Sequence, residues 1–169
     1  MADVQVREIT GTEHVPLTFR LRYDVWSEVT EVKLEFQVQR LIRDQHDEHA
    51  RHWAAFDGGE IVASARMCIH ERQTDAPDAV VFRRERLPEP VGTINRLVVH
   101  REWRNLGIAS QFDACRIQAA RDNHAKCLVV STSGRRIAAL QTEGFRLTDY
   151  WGTSPFVPPL ALRGMILML

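Results

Sequence analysis

Apolar positions along this chain change period several times, and each change marks an element. Val4, Val6 and Ile9 alternate with polar neighbours, the two-residue period of a short strand. Leu17, Leu21, Val25 and Val29 then recur every fourth residue, with Trp26 beside them, which predicts one face of a helix. A second amphipathic stretch places Leu34, Val38, Leu41 and Ile42 on one side, ahead of the polar run from Arg43 to Arg51. Trp53, Ala55 and Phe56 predict a strand, Asp57-Gly58-Gly59 a hairpin turn, and Ile61 to Ile69 the returning strand. Between Glu71 and Pro90, charges and prolines interrupt any period apart from the patch Ala79 to Phe82, which predicts a long surface excursion inside one domain.

The second half is more regular. Ile94, Leu97, Val98 and Val99 predict a strand that ends in a loop at His100 to Asn105. Ile108, Phe112, Cys115 and Ala119 fall at helical spacing, with Gln111, Arg116 and Gln118 largely outside that stripe. Leu128, Val129 and Val130 form a short apolar run with a polar end at Ser131-Thr132-Ser133. A helix reaches Glu143, Gly144 caps it in a left-handed conformation, Phe145 opens a strand, and Met165 to Leu169 form the last one. The predicted order is β-α-α-β-β followed by β-α-β-α-β-β, an α/β (α+β) chain whose mixed sheet is covered by helices.

Composition narrows the class. At 169 residues the chain suits a single domain, residues 1–169, with 44% hydrophobic and 26% charged residues. Basic and acidic residues balance at 22 each, so no net field draws it to nucleic acid or an anionic membrane. Cys68, Cys115 and Cys127 are odd in number and include no Cys-x-x-Cys pair, which argues for a reducing compartment and against a zinc ribbon. No apolar run approaches the roughly 20 residues of a membrane span. Together with an N-terminus that lacks a signal-like apolar core, this predicts a cytoplasmic protein.

The strand-loop-helix unit from Ile94 to Ala120 carries the chemistry. Its loop reads Arg104-Asn105-Leu106-Gly107-Ile108-Ala109, with the helix starting near Gly107. A helix N-terminus offers unpaired N–H groups and a positive dipole to phosphate oxygens. Gly107 allows close backbone approach, Ala109 leaves room, and Arg104 adds a charge-assisted bond. The loop has neither the three glycines of the dinucleotide fingerprint nor the Gly-Lys-Ser/Thr of a Walker loop. Taken alone, it also fits a helix that merely begins at a glycine turn.

Arg104-x-x-Gly107-x-Ala109, after a strand ending Leu97-Val98-Val99 and with Trp103 just before it, resembles the acetyl-CoA-binding motif of the GNAT superfamily of N-acetyltransferases. The apolar strand Cys127 to Val130 and the sequence Glu143-Gly144-Phe145 follow in the order seen there. The resemblance implies a mixed, mostly antiparallel sheet of about six or seven strands flanked by about four helices. It also implies acetyl-CoA as co-substrate, without a metal, and a small-molecule amine as acceptor. In such enzymes acyl-pantetheine lies between two splayed strands. Backbone groups of Leu97 and Val99 would bond the pantetheine amides, and the segment Asn105, Leu106, Gly107, Ile108, Ala109 would hold the pyrophosphate, with Arg104 and Ser110 at its edges. The amine attacks the thioester directly, and a backbone N–H near Val98 polarises the carbonyl.

Departures from the pattern fall on the proton chemistry. Where many members carry a glutamate base, this chain has Thr93. Where many carry a tyrosine acid, it has Leu140, and Ser133 stands where an asparagine is common. Tyr150 and Ser131 are candidate substitutes; each also suits a structural hydroxyl. A water chain could carry the proton instead, or the domain could bind acyl-CoA as a non-catalytic sensor.

The front half resembles a GNAT branch that includes acyl-homoserine-lactone synthases and related small acyltransferases, through Leu21-Arg22-Tyr23-Asp24-Val25-Trp26, Asp44, Asp47, His52, Ala65-Arg66 and Ile94-x-Arg96-Leu97. This keeps longer acyl donors open. Strand alternation places Ser64, Arg66 and His70 on one face. Arg66 and Arg96 could bind an acceptor carboxylate or pair with Asp44, Asp47 or Glu48, and Trp26 could line the acceptor pocket. His46, His49 and His52 fan out at helical spacing and predict a solvated face, not a metal site. The partners expected are the amine acceptor, with a homodimer left open, and neither nucleic acid nor membrane.

Overall fold

Every predicted change of period corresponds to an element of the computed structural model, which describes residues 4–28, 31–77, 79–153 and 161–169. The strands are β1 (Gln5–Glu8), β2 (Arg51–Asp57), β3 (Glu60–His70), β4 (Val91–Val99), β5 (Cys127–Thr132), β6 (Arg146–Thr153) and β7 (Ala161–Met168). The helices are α1 (Val15–Ser27), α2 (Leu34–Gln39), α3 (Ile108–Asp122) and α4 (Arg135–Thr142). They follow the expected order and form a seven-stranded sheet, β1-β2-β3-β4-β5-β7-β6. β4 and β5 run parallel, whereas β1–β2, β5–β7 and β6–β7 are antiparallel. The chain divides into two compact units, Met1–Arg66 with Arg96–Cys115, and Met67–Asn95 with Arg116–Leu169.

In the first unit, β1 pairs with β2 from Gln5–Phe56 to Glu8–Trp53, and Ile9, Ala54 and Phe56 pack together with Val15 and Ile61. Gly58 and Gly59 sit at φ 58° and 94°, the conformation a two-residue hairpin turn requires and one that glycine adopts without strain. α1 starts with Pro16 in its first turn, where a missing N–H costs nothing. Its buried face is Thr18, Phe19, Arg22 and Val25, whereas Leu17 is 55% exposed. The apolar period therefore located the helix but not its inner face, because a charged residue, Arg22, belongs to that face. Val29, expected to extend the stripe, lies outside the described residues.

α2 reverses the expectation more fully. Leu34 and Val38 are 73% and 78% exposed, while Val32, Phe36 and Ile42 are buried. The helix has only six residues and ends at Arg40 in a left-handed conformation. Ile42 N–H then donates to the Phe19 carbonyl at 3.0 Å, so the chain turns inward after the helix instead of continuing its stripe. The polar run becomes a single 3-10 turn, Gln45–Glu48, closed at its start by a capping box between Asp44 and Asp47.

In the second unit, β5 pairs with β7 from Cys127–Met168 to Thr132–Arg163, and β7 pairs with β6. Val81, Phe82, Val91, Cys127, Val129 and Ile166 form its core. The excursion between β3 and β4 is thus not wholly superficial: its patch Ala79–Phe82 forms a 3-10 turn that buries Val81 and Phe82. Leu140 on α4 is fully buried, and Gly144, at φ 93°, closes that helix. On α3, Ile108, Phe112 and Ala119 are buried as expected, but Arg116, expected outside the stripe, is buried too. Cys68, Cys115 and Cys127 are free thiols. Among the described residues no helix is long and apolar enough to cross a membrane.

Candidate functional site

The end of β4 and the start of α3 both lie in the first unit. His100 N–H donates to the Val62 carbonyl at 2.9 Å, tying the strand's end to β3. A 3-10 turn, Arg101–Trp103, follows. Its Trp103 indole donates to Asp57 at 3.1 Å and stacks edge-on with His100 at 5.1 Å. Arg104 Nε donates to the Val99 carbonyl at 3.1 Å, which folds the guanidinium back over the loop it opens. Asn105 and Gly107 both take positive φ, 65° and 76°. α3 then begins at Ile108, with the Gly107 carbonyl accepting the Gln111 N–H at 3.1 Å.

Two left-handed residues within three positions curl the backbone before a helix N-terminus, a shape in which successive N–H groups converge on an anion. A methyl group added at Gly107 would meet nothing within 4 Å. The glycine is therefore demanded by its φ, and the space beside it is open. Arg104, Asn105, Leu106, Gly107 and Ser110 are exposed, Ala109 is half-buried, and Ile108 is buried as the anchor of the turn. Leu97 and Val99 are half-buried and Val98 is buried. The sequence-predicted binding segment is thus one continuous stretch, with its side chains split between anchoring and an open face.

β4 is not a regular strand. Arg96 sits at φ 53° in its middle, a conformation that bulges a strand and disrupts its ladder. The registered pairing of β4 with β5 runs from Val91–Cys127 to Thr93–Val129.

Arg96 also joins a buried ionic cluster within the first unit. Arg66 donates to Asp44 at 2.6 and 3.2 Å and lies 2.9 Å from Asp47. Arg96 bonds the second Asp44 oxygen and faces the Trp26 ring at 5.6 Å. Arg22, fully buried on α1, donates to Asp47 at 2.9 Å and to the Ile42 carbonyl at 3.3 Å. Three guanidinium groups therefore face two carboxylates. Burial opposes ionisation of Asp44, but Arg66 and Arg96 outweigh it and hold its carboxyl well below the usual range. The same contest, won by Arg22 and Arg66, lowers Asp47. Burial pushes Arg22 down to about 10 despite Asp47.

Of the two roles expected for Arg66 and Arg96, pairing with Asp44 and Asp47 is the one this geometry displays. Of the three spaced histidines, His46 lies in the 3-10 turn, His49 follows it, and His52 is buried in β2, with Nε2 3.1 Å from the Asp47 carbonyl. Burial lowers the His52 pKa, against a rise from that carbonyl. They do not form one solvated face.

The second unit holds the remaining polar candidates. Tyr150 packs its ring against the core cluster, and its backbone N–H donates to Thr148 at 3.2 Å. Ser131 Oγ is buried without a hydrogen-bond partner among the described residues. The Thr93 hydroxyl, 2% exposed as a residue, lies 3.1 Å from Nε2 of the half-buried His70. Sequence reasoning did not single out that pair; only the two-residue alternation of β3, which faces His70 with Arg66, hinted at it. Burial raises the Cys127 thiol to about 11.

A family model described as acetyltransferase (GNAT) family matches residues 18–142. No curated protein sequence matches the chain. Among solved structures, FeeM, an N-acyl amino acid synthase from uncultured soil microbes, superposes with a TM-score of 0.73 at 13% identity, covering 99% of this chain and 92% of that one. A GNAT family acetyltransferase from Elizabethkingia anophelis with acetyl-CoA bound gives 0.61 at 15% identity, with 99% of each chain covered. A Bacillus subtilis acetyltransferase in complex with CoA gives 0.59 at 14%, again covering 99% of both.

Proposed function

The chain belongs to the GNAT acetyltransferase family, whose members are N-acyltransferases, and from that premise we propose that it moves an acetyl group from acetyl-CoA to the amine of a small molecule. The observation that carries the reading is the loop from Arg104 to Ser110, where Asn105 and Gly107 take positive φ immediately before α3. Such a turn suits the CoA pyrophosphate. Likeness to structures with acetyl-CoA or CoA bound supports the same donor.

In this reading Asn105, Leu106, Gly107, Ile108 and Ala109 offer backbone N–H groups to the pyrophosphate, with Arg104 and Ser110 beside them. Backbone groups of Leu97 and Val99 hold the pantetheine amides. The amine nitrogen attacks the thioester carbon while the backbone N–H of Val98 stabilises the oxygen as it gains charge. The C–S bond then breaks and CoA leaves as the thiol. Much of the acceleration comes from holding the two reactants together. Trp26, 5.6 Å from Arg96, is the proposed wall of the acceptor pocket.

A second reading, transfer of a longer acyl chain, is favoured by one observation: FeeM, an N-acyl amino acid synthase, superposes with a TM-score of 0.73. Thiol release measured with acetyl-CoA and with long-chain acyl-CoA, across amines with and without a carboxylate, tests both. Turnover on acetyl-CoA supports the first reading. Turnover only on long-chain donors replaces it with the second, and binding without turnover on any amine removes both.

A further inference from the structure

We propose that the buried Arg22 guanidinium holds a small planar oxyanion, of the size of formate, nitrate or bicarbonate, on its Nε–Nη2 edge. The site lies wholly within the first unit and stands whether or not the acyltransferase reading does.

A guanidinium carries a fixed charge and five N–H donors, and burying it is costly unless both are met. Arg22, on the inner face of α1, is 0% exposed. Its Nη1 donates to Asp47 at 2.9 Å and to the Ile42 carbonyl at 3.3 Å, which uses both Nη1 hydrogens. Nε and Nη2 carry the remaining donors. Both are buried, and neither has a hydrogen-bond partner among the described residues. The Phe19 ring, 5.1 Å from the Arg22 guanidinium carbon, offers them no oxygen or nitrogen acceptor. Asp47 is not free to turn to them. Its Oδ1 also faces Arg66 at 2.9 Å, and its Oδ2 accepts the Asp44 N–H at 2.9 Å. One carboxylate oxygen thus serves two guanidinium groups.

Other arginines of the chain show what such an edge takes. Arg51 uses the same two nitrogens, at 2.9 and 2.6 Å, to grip both oxygens of Glu8. Arg72 does so with Asp75 at 3.3 and 3.2 Å. The Nε–Nη2 edge is a fork whose spacing matches two oxygens on one atom. On Arg22 that fork is buried, where an unmet charged donor costs more than at the surface. A planar oxyanion meets both nitrogens and supplies the opposite charge; a water molecule supplies no charge. Full enclosure limits the occupant to a few atoms.

Formate is the probe. After exhaustive dialysis into degassed buffer at pH 7, sodium gluconate, too large to enter, is replaced stepwise by sodium formate at constant ionic strength. Tm is followed in the wild type, Arg22→Met and Arg22→Lys. Both variants leave Asp47 its contacts with Arg66 and the Asp44 N–H. The wild-type Tm should rise saturably, by about 5 to 10 °C at a hundredfold excess of formate over Kd. Arg22→Met has no donors and Arg22→Lys keeps the charge without the fork, so neither should show the saturable rise. A wild-type Tm indifferent to formate would leave the edge to water and overturn the site, and so would the same saturable rise in Arg22→Met. Should neither variant fold, the Arg22 Nε–H resonance of the wild type decides. It should shift saturably with formate, and a resonance that does not move overturns the proposal.

Discussion

Removing the charge of Asp44 isolates what the buried ionic cluster contributes. The Asp44 carboxylate receives Arg66 at 2.6 and 3.2 Å and also bonds Arg96. It caps the following turn by accepting the His46 N–H at 3.0 Å as well. The side chains of Arg66, Arg96 and Asp44 are 0%, 8% and 17% exposed, so water cannot replace the lost partner of Arg66. Breaking a buried ion pair from one side costs about 3 to 5 kcal/mol. Arg66 keeps Asp47 at 2.9 Å, which places Asp44→Asn at the lower end, about 3 kcal/mol. For a chain of this length that is a fall in Tm of about 6 to 12 °C. Asp44→Ala also loses the cap and should cost about 1 kcal/mol more. Urea unfolding at pH 7 with an unchanged m-value measures both. The pH dependence has a definite sign. The folded carboxyl is held below its unfolded value, so its stabilisation is present above about pH 4 and disappears as pH falls further. The gap between wild type and Asp44→Asn should therefore close in acid. Asp44→Asn as stable as wild type at pH 7, or a gap that widens in acid, would refute the reasoning.

Three further outcomes can be checked. Gly107→Glu should abolish CoA binding in calorimetry by placing a carboxylate in the anion site, whereas Gly107→Ala should mainly bear the backbone strain of a side chain at positive φ, about 1 kcal/mol; unchanged affinity in the glutamate variant would remove the cradle. Leu140→Ala, at a fully buried position, should destabilise by about 2 to 5 kcal/mol without changing the shape of the pH–rate profile; a pH-dependent rate loss at wild-type stability would contradict that. His52 has its pKa lowered by burial, so the unfolded chain takes the proton first and stability should decline as pH falls below about 6.5. Unfolding at pH 8 and pH 5 should show that decline in wild type and a smaller one in His52→Gln.

Local rules carried most of the fold, because strand and helix periods and turn chemistry are written in neighbouring residues. Asp57-Gly58-Gly59 and Gly144 are legible for that reason: the backbone conformation they adopt selects them directly. The curve of the Arg104–Ser110 loop is legible for the same reason, since one short segment sets it. What escaped is non-local. The inner face of α1 includes Arg22, and a search for apolar period discards an arginine. Its partners, Asp47 and the Ile42 carbonyl, lie 25 and 20 residues away. On α2, Leu34 and Val38 satisfied the period yet point outward, because six residues are too few for the stripe to dictate orientation. His70 and Thr93 are separated by 23 positions, and no spacing rule connects two residues on different strands.

The same separation bears on how the protein's chemistry is distributed. Binding a pyrophosphate needs backbone N–H groups, which any sequence supplies once glycine and a left-handed neighbour set the curve. In the proposed function, that part of the site is therefore tolerant of side-chain change. Proton transfer, by contrast, needs one titratable side chain at one place, and nothing requires that side chain to come from a particular strand. β4 lacks a base, but its Thr93 hydroxyl reaches an imidazole on β3 at 3.1 Å.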